Sequence, residues 1–181
     1  MTNVKYYLKV TLSLLLICAS VAGLLAAVNA LTADIIEANA QKEREKAVGE
    51  IFCGMTSMKD TEGQWLDGVN AVYAVYREDA WLGYAVDLDS RGFGGNINMM
   101  VGIAADGTVC GVRVISHSET PGLGSRATLS SYLDHFTGFG EPLTIKQDVD
   151  AISGATISSK AVVAGINLAL SLGLGGVSAH G

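Results

Sequence analysis

Between Lys9 and Asp34 the chain carries no charged side chain. The stretch Val10–Leu31 is 22 residues, nearly all apolar or small. As a helix it spans roughly 33 Å, which matches a hydrocarbon core of about 30 Å. Tyr6 and Tyr7 stand where an interfacial aromatic belt belongs. The alternative is a cleaved secretory signal, with Val28-Asn29-Ala30 as its small-x-small site. Such signals have an apolar region of only about 7–15 residues, so the length favours a retained anchor. Lipid attachment at Cys18 is disfavoured by the bulky Ile17 before it. Basic residues flank both ends of the run, Lys5 and Lys9 before it and Lys42, Arg44 and Lys46 after it. The positive-inside rule is therefore divided. The reading adopted is a short N-terminal tail inside and a folded domain outside.

Hydrophobicity concentrated at one end excludes a polytopic transporter. With 49% hydrophobic residues the chain is too apolar for disorder. Its 22 Gly come with 2 Pro and no triplet period, which excludes collagen. The length beyond the apolar run leaves room for one domain. Net charge is −6, and the only charges before residue 34 are two lysines, so the domain is more acidic still. That argues against nucleic acid as a partner and against adhesion to an anionic bilayer by charge. Cys18, Cys53 and Cys110 form no CxxC and no paired framework.

Residues 32–48 are rich in Ala, Glu, Lys, Gln and Arg without Gly or Pro, and read as a solvated helical stalk ended by Gly49. The expected organisation is an anchor over 1–33, a stalk over 34–48 and a domain over 49–181. Residues 52–68 take no assignment. Strands are expected at Val69–Tyr76 and Trp81–Leu88 around the turn Arg77-Glu78-Asp79. Ile97–Ala104 and Val109–Ser116 follow, joined by Asp106-Gly107, a two-residue hairpin signal. A short helix at Thr128–His135, an edge strand at Leu143–Ile145 and a helix at Ser158–Leu172 complete the pattern. Leu174–Gly181 reads as a frayed tail. The fold class is α+β: one N-terminal membrane helix, then an antiparallel sheet with flanking helices.

Two segments carry chemistry. In Asp150-Ala151-Ile152-Ser153-Gly154-Ala155-Thr156, small residues crowd a Thr hydroxyl just before a helix. One reading is an ordinary helix start, with Ser153 or Thr156 as cap. The other is an anion site, because amides at a helix N-terminus favour phosphate. In His117-Ser118-Glu119-Thr120-Pro121-Gly122-Leu123-Gly124, the plain reading is a Pro/Gly turn. His117 and Glu119 have no third ligand at a metal spacing, so no metal is expected. There is no GxSxG elbow for a hydrolase, and no catalytic acid or base is expected.

The first segment resembles the D-x-x-[ST]-G-A-T motif at which a flavin transferase attaches FMN, through its phosphate, to the final Thr. The second resembles an H-x-E-T-P-G-L-G stretch. Both occur in the FMN-binding subunits of two related membrane complexes: RnfG of the RNF electron transport complex, and its counterpart in the sodium-translocating NADH:quinone reductase. The resemblance covers the anchor, the strand run, the loop and the Thr motif, and the short length favours the RNF member. It implies an extracytoplasmic FMN domain on one helix, with FMN esterified to Thr156. Asp150, Ser153, Gly154 and Ala155 match the rest of that motif, and Glu119, Thr120, Gly122, Leu123 and Gly124 the flavin loop. It also implies partner subunits in the membrane, a flavin transferase in maturation, and electron flow from ferredoxin to NAD coupled to Na⁺ or H⁺ movement. No GxGxxG follows a strand, so NAD binding is not expected here.

Two other readings stay open: a stand-alone anchored flavoprotein, and a non-redox anchored module whose Ser-Gly-Ala-Thr is only a helix cap. The loop Gly92–Gly95 is either a plain loop or a close approach to the flavin. Trp81 and Tyr84 are either core or stacking residues. His135 and His180 have no partner in the pattern.

Overall fold

In a computed structural model that describes residues 2–61, 63 and 65–173, five strands form one antiparallel sheet in chain order. They are β1 (Ser57–Asp60), β2 (Val69–Arg77), β3 (Ala80–Arg91), β4 (Asn96–Ala104) and β5 (Val109–His117). The hairpin turns form at the residues that signalled them. Glu78 adopts φ 53° and Gly107 φ 86°. Asp106 Oδ1 accepts the Thr108 N–H at 3.0 Å and the Thr108 hydroxyl at 2.7 Å. These two bonds hold the Asp106 carboxyl below its ordinary pKa.

Alternation gives the sheet two buried faces. Val72, Ala74, Val86, Leu88, Met99 and Val101 point to one face, where Val162, Ile166 and Ala169 of helix α3 (Thr156–Ser171) cover them. Tyr73, Val75, Ala85 and Met100 point to the other. There they meet Ala47, Val48 and Ile51 from the last turns of helix α1 (Thr2–Ile51), and Phe52. The result is helix, sheet and helix in three layers. Burying each large aliphatic side chain stabilises this arrangement by roughly 1.5–3 kcal/mol.

The chain divides into two compact units, residues 1–42 and 43–181. In the first, Leu8, Leu12, Leu16 and Leu24 are exposed. The hydroxyls of Thr11, Ser13, Ser20 and Thr32 donate to carbonyls one turn earlier, at 2.8–2.9 Å. Each of these four hydroxyls is thus satisfied inside the helix, an arrangement compatible with a lipid environment. Among the described residues this is the one helix long and apolar enough to cross a membrane.

In the second unit, α1 continues past Gly49, where the stalk was expected to end, and Ala47 and Val48 are buried rather than solvated. A helical Gly costs about 1 kcal/mol against Ala, less than the burial of Val48 and Ile51 returns. Arg44 Nε lies 2.8 Å from Asp87 Oδ2. The Asp87 side chain is 1% exposed, and its Oδ1 also accepts from the Asn98 amide at 2.8 Å and the Asn70 amide at 3.3 Å.

Elsewhere the details differ from expectation. Residues 57–60 supply an edge strand. The helix expected at 128–135 is broken into a 3-10 turn (Gly124–Thr128), one α turn, α2 (Ser130–Leu133), and a second 3-10 turn (Asp134–Phe136). Leu143–Ile145 is not a strand; only Ile145 bridges, to Val149. The backbone of Leu143 pairs instead with the Asn167 side chain, its N–H donating at 2.7 Å and its carbonyl accepting at 2.9 Å. Leu174–Gly181, with His180, lies outside the described residues.

Candidate functional site

Three loops meet at the N-terminal end of α3. The first is the turn before that helix. Gly154 adopts φ 82°, and the Ala155 N–H donates to the Ile152 carbonyl at 2.9 Å. The helix opens at Thr156 with Ala155 in the capping position and no side-chain cap. The expected cap from Ser153 or Thr156 is therefore not made. The loop is secured from inside the helix, where Ser159 Oγ accepts the Ile152 N–H at 3.1 Å. The first amides of α3 are left free of any side-chain cap, and the Thr156 side chain is exposed.

The second loop follows β5. The Glu119 N–H donates to His117 Nδ1 at 3.2 Å. The Thr120 carbonyl accepts from the N–H groups of Leu123 and Ser125, both at 3.2 Å. Gly122 holds φ 73°, and its N–H donates to Ser125 Oγ at 2.9 Å. The third loop is Gly92–Gly95, closed by the Gly92 N–H on the Gly95 carbonyl at 2.9 Å.

Glu119 ties the three together. It is only 4% exposed. Its Oε2 accepts from Ser158 Oγ at 2.6 Å, and its Oε1 accepts from the Gly94 N–H at 3.1 Å. Glycines make the space: a Cβ on Gly92 would stand 2.1 Å from Oε1, and one on Gly124 2.2 Å from Oε2. No cation is paired with this carboxylate among the described residues.

Beside it opens a cleft of about 290 Å³. Its lining comes from all three loops: Phe93 from the Gly92–Gly95 loop, Glu119, Thr120, Leu123 and Gly124 from the loop after β5, and Gly154 to Ser158 from the turn into α3. Three large apolar side chains are exposed there: Phe93 at 69%, Ile157 at 52% and Leu123 at 47%. An apolar wall with a few fixed polar groups suits a planar organic cofactor. An exposed hydroxyl on the first turn of a helix without a side-chain cap suits its phosphate.

Of the residues singled out from the sequence, Glu119, Thr120, Leu123, Gly124, Gly154, Ala155 and Thr156 share this cleft. Gly122, Asp150 and Ser153 are not among its lining. The Asp150 carbonyl accepts from the Tyr132 hydroxyl at 3.2 Å. Asp150 borders a separate cavity of about 340 Å³ with Tyr132, His135, Asp148 and Val149. Burial raises the Tyr132 phenol above its ordinary pKa. Trp81 and Tyr84 meet edge to face at 5.3 Å and pack in the core, away from the cleft. Cys53 is exposed, whereas burial pushes the Cys110 thiol up to about 12. Among the described residues no three His, Cys, Asp or Glu side chains form a metal-binding group.

Phe93, Ile157 and Ser158 were not singled out from the sequence. Ser158 carried a signal: it lies one turn before Val162 on the stripe that continues through Ile166, and a serine on a buried stripe must find a partner. Phe93 is an aromatic residue between two glycines, a placement that periodicity does not interpret.

Two family models match the chain, an FMN-binding domain over residues 92–171 and an RnfG N-terminal region over residues 1–51. The chain is 31% identical to the G subunit of the ion-translocating oxidoreductase complex of Methanosarcina acetivorans, over 94% of its own length and 96% of that protein. It is 35% identical to the G subunit of the proton-translocating ferredoxin:NAD(+) oxidoreductase complex of Clostridium ljungdahlii, over 58% of its own length and 60% of that protein. It is 36% identical to the Na(+)-translocating counterpart of Acetobacterium woodii, over 49% of its own length and 48% of that protein. The match thus spans about half to three-fifths of the Clostridium and Acetobacterium relatives.

Proposed function

The chain belongs to the RnfG family of ion-translocating oxidoreductase complexes, and from that premise we propose that it is a membrane-anchored electron carrier with FMN esterified to Thr156. The observation that carries this reading is the exposed Thr156 side chain, set on the first turn of α3 and on the wall of the cleft. In the ester, Thr156 Oγ loses its proton and becomes an oxygen of the FMN phosphate. A flavin transferase supplies the activated flavin-phosphoryl donor and carries away its leaving group. The amides at the start of α3 would hold the phosphate, and Phe93, Leu123 and Ile157 would shield the ring system from water. FMN, when bound, supplies electron transfer in steps of one or two electrons. The protein's part is to hold it in place and set its potential. A covalent tether suits a relay, because the carrier does not dissociate between turnovers.

The 22-residue apolar run supports anchoring by one span, with the acidic domain on the extracytoplasmic side. The partners are the other membrane subunits of an RNF-type complex, which passes electrons from ferredoxin to NAD. A single span without charge offers no ion path, so translocation belongs to those partners. Two relatives named for different ions, H⁺ and Na⁺, accord with that division.

Flavin fluorescence of the denatured protein band tests the attachment. Expressed with a flavin transferase, the wild type gives a fluorescent band and Thr156→Ala a dark one. A dark wild-type band overturns the proposal.

A further inference from the structure

The buried carboxylate at the cleft is placed to act on charge. Glu119 lines the same cleft as Thr156, and the two hydrogen bonds it receives come from uncharged donors, Ser158 Oγ and the Gly94 N–H. A carboxylate without a paired cation, out of water, projects its field strongly into the neighbouring space. The bonds to Ser158 and Gly94, with Gly92 and Gly124 pressed against its two oxygens, fix where that charge stands.

We propose that Glu119 is a positioning residue whose fixed negative charge holds the reduction potential of the cleft-bound FMN down. This rests on the flavin reading above. An electron entering the cleft adds negative charge near a carboxylate that cannot turn away, so reduction is disfavoured relative to the same site without the charge. The Ser158 hydroxyl, pointing its proton at Oε2, cancels part of that field.

The test is a reductive titration of the flavin-loaded protein, with dithionite as the electron source and the flavin absorbance as readout. Glu119→Gln keeps an acceptor for the Gly94 N–H and a polar partner for Ser158, but removes the charge. It is expected to raise the potential by on the order of tenfold in the one-electron equilibrium, about 59 mV. Ser158→Ala keeps the charge and removes the hydroxyl that offsets it, and is expected to lower the potential. An unchanged potential in Glu119→Gln overturns the proposal. So does a rise of equal size in both variants, which reports disruption of the loops rather than loss of charge. Should Glu119→Gln fail to fold or load, Ser158→Ala decides alone: a lower potential supports the role, and an unchanged or higher one overturns it. A fluorescent band with an unmoved potential removes only the tuning role, whereas a dark wild-type band removes the flavin reading as well.

Discussion

Ser158 Oγ donates to Glu119 Oε2 at 2.6 Å, joining the first turns of α3 to the loop after β5 across 39 residues of sequence. The bond is buried, and both carboxylate oxygens are enclosed by glycine backbone. The loop and the helix that bears Thr156 are therefore set by one side chain, and substitutions around it test that directly.

Gly124→Ala forces a methyl to within 2.2 Å of Glu119 Oε2, and Gly92→Ala to within 2.1 Å of Oε1. Each oxygen is held by a hydrogen bond that a shift would break, Oε2 by Ser158 and Oε1 by Gly94, so each variant is expected to lose about 1–3 kcal/mol in thermal denaturation. Combining Gly124→Ala with Glu119→Gly removes the carboxylate clash and leaves Ser158 Oγ, at 2.8 Å from the added Cβ, free to turn, so that double variant is expected to lose less than the sum of the two single changes.

The compact unit begins at Glu43, inside α1. A chain starting at residue 43 keeps Arg44, Ala47, Val48 and Ile51, and is expected to purify without detergent and melt cooperatively. A chain starting at residue 53 lacks the layer over Tyr73, Val75 and Met100. It loses two buried aliphatic side chains, Val48 and Ile51, at about 1.5–3 kcal/mol each. That is comparable with the whole stability of many domains, so aggregation is the expected result.

Arg44→Ala leaves Asp87 buried with only the Asn70 and Asn98 amides as donors. Removing one member of a buried ion pair costs about 3 kcal/mol, and Arg44, one-third exposed, belongs at that lower end. Chemical denaturation of the Arg44→Ala and Asp87→Ala variants checks the figure. A change of under about 0.5 kcal/mol, typical of a surface position, is the contrary result.

Burial pushes the Cys110 thiol up to about 12, from an ordinary 9.0. At pH 8 an alkylating reagent is expected to modify the exposed Cys53 and to spare Cys110 until the protein is denatured. The sign of the stability effect follows. The folded protein keeps a proton that the unfolded chain releases above pH 9, so this contribution is intact below pH 9 and is lost as pH rises towards 12. Cys110→Ala is expected to flatten that part of the stability profile, as measured by denaturation at pH 8 and pH 11.

The strands from β2 to β5 were legible because each carries β-branched or aromatic residues and ends at a turn with its own chemistry, at Glu78-Asp79 and Asp106-Gly107. β1 was not, because Ser57–Asp60 is a short, polar edge strand without apolar alternation. Leu143–Ile145 has the composition of a strand, yet the Asn167 amide answers the Leu143 backbone, a pairing between residues 24 apart that local pattern does not reveal. At the site, the Thr motif and the Glu119 loop were readable as segments, but their meeting was not. It depends on glycines at 92 and 124 that make room for one carboxylate, and no spacing rule encodes that. Asp150 shows the reverse: it belongs to the motif yet does not line the cleft.

Intact mass of the protein purified from its native membrane, beside Thr156→Ala, tests the central claim most directly. Thr156 is exposed and caps nothing, so its replacement is expected to leave stability within about 0.5 kcal/mol. The wild type should be heavier than its sequence by one FMN less one water, and Thr156→Ala should show the unmodified mass. A wild type at sequence mass, or the same increment in both proteins, contradicts attachment at Thr156.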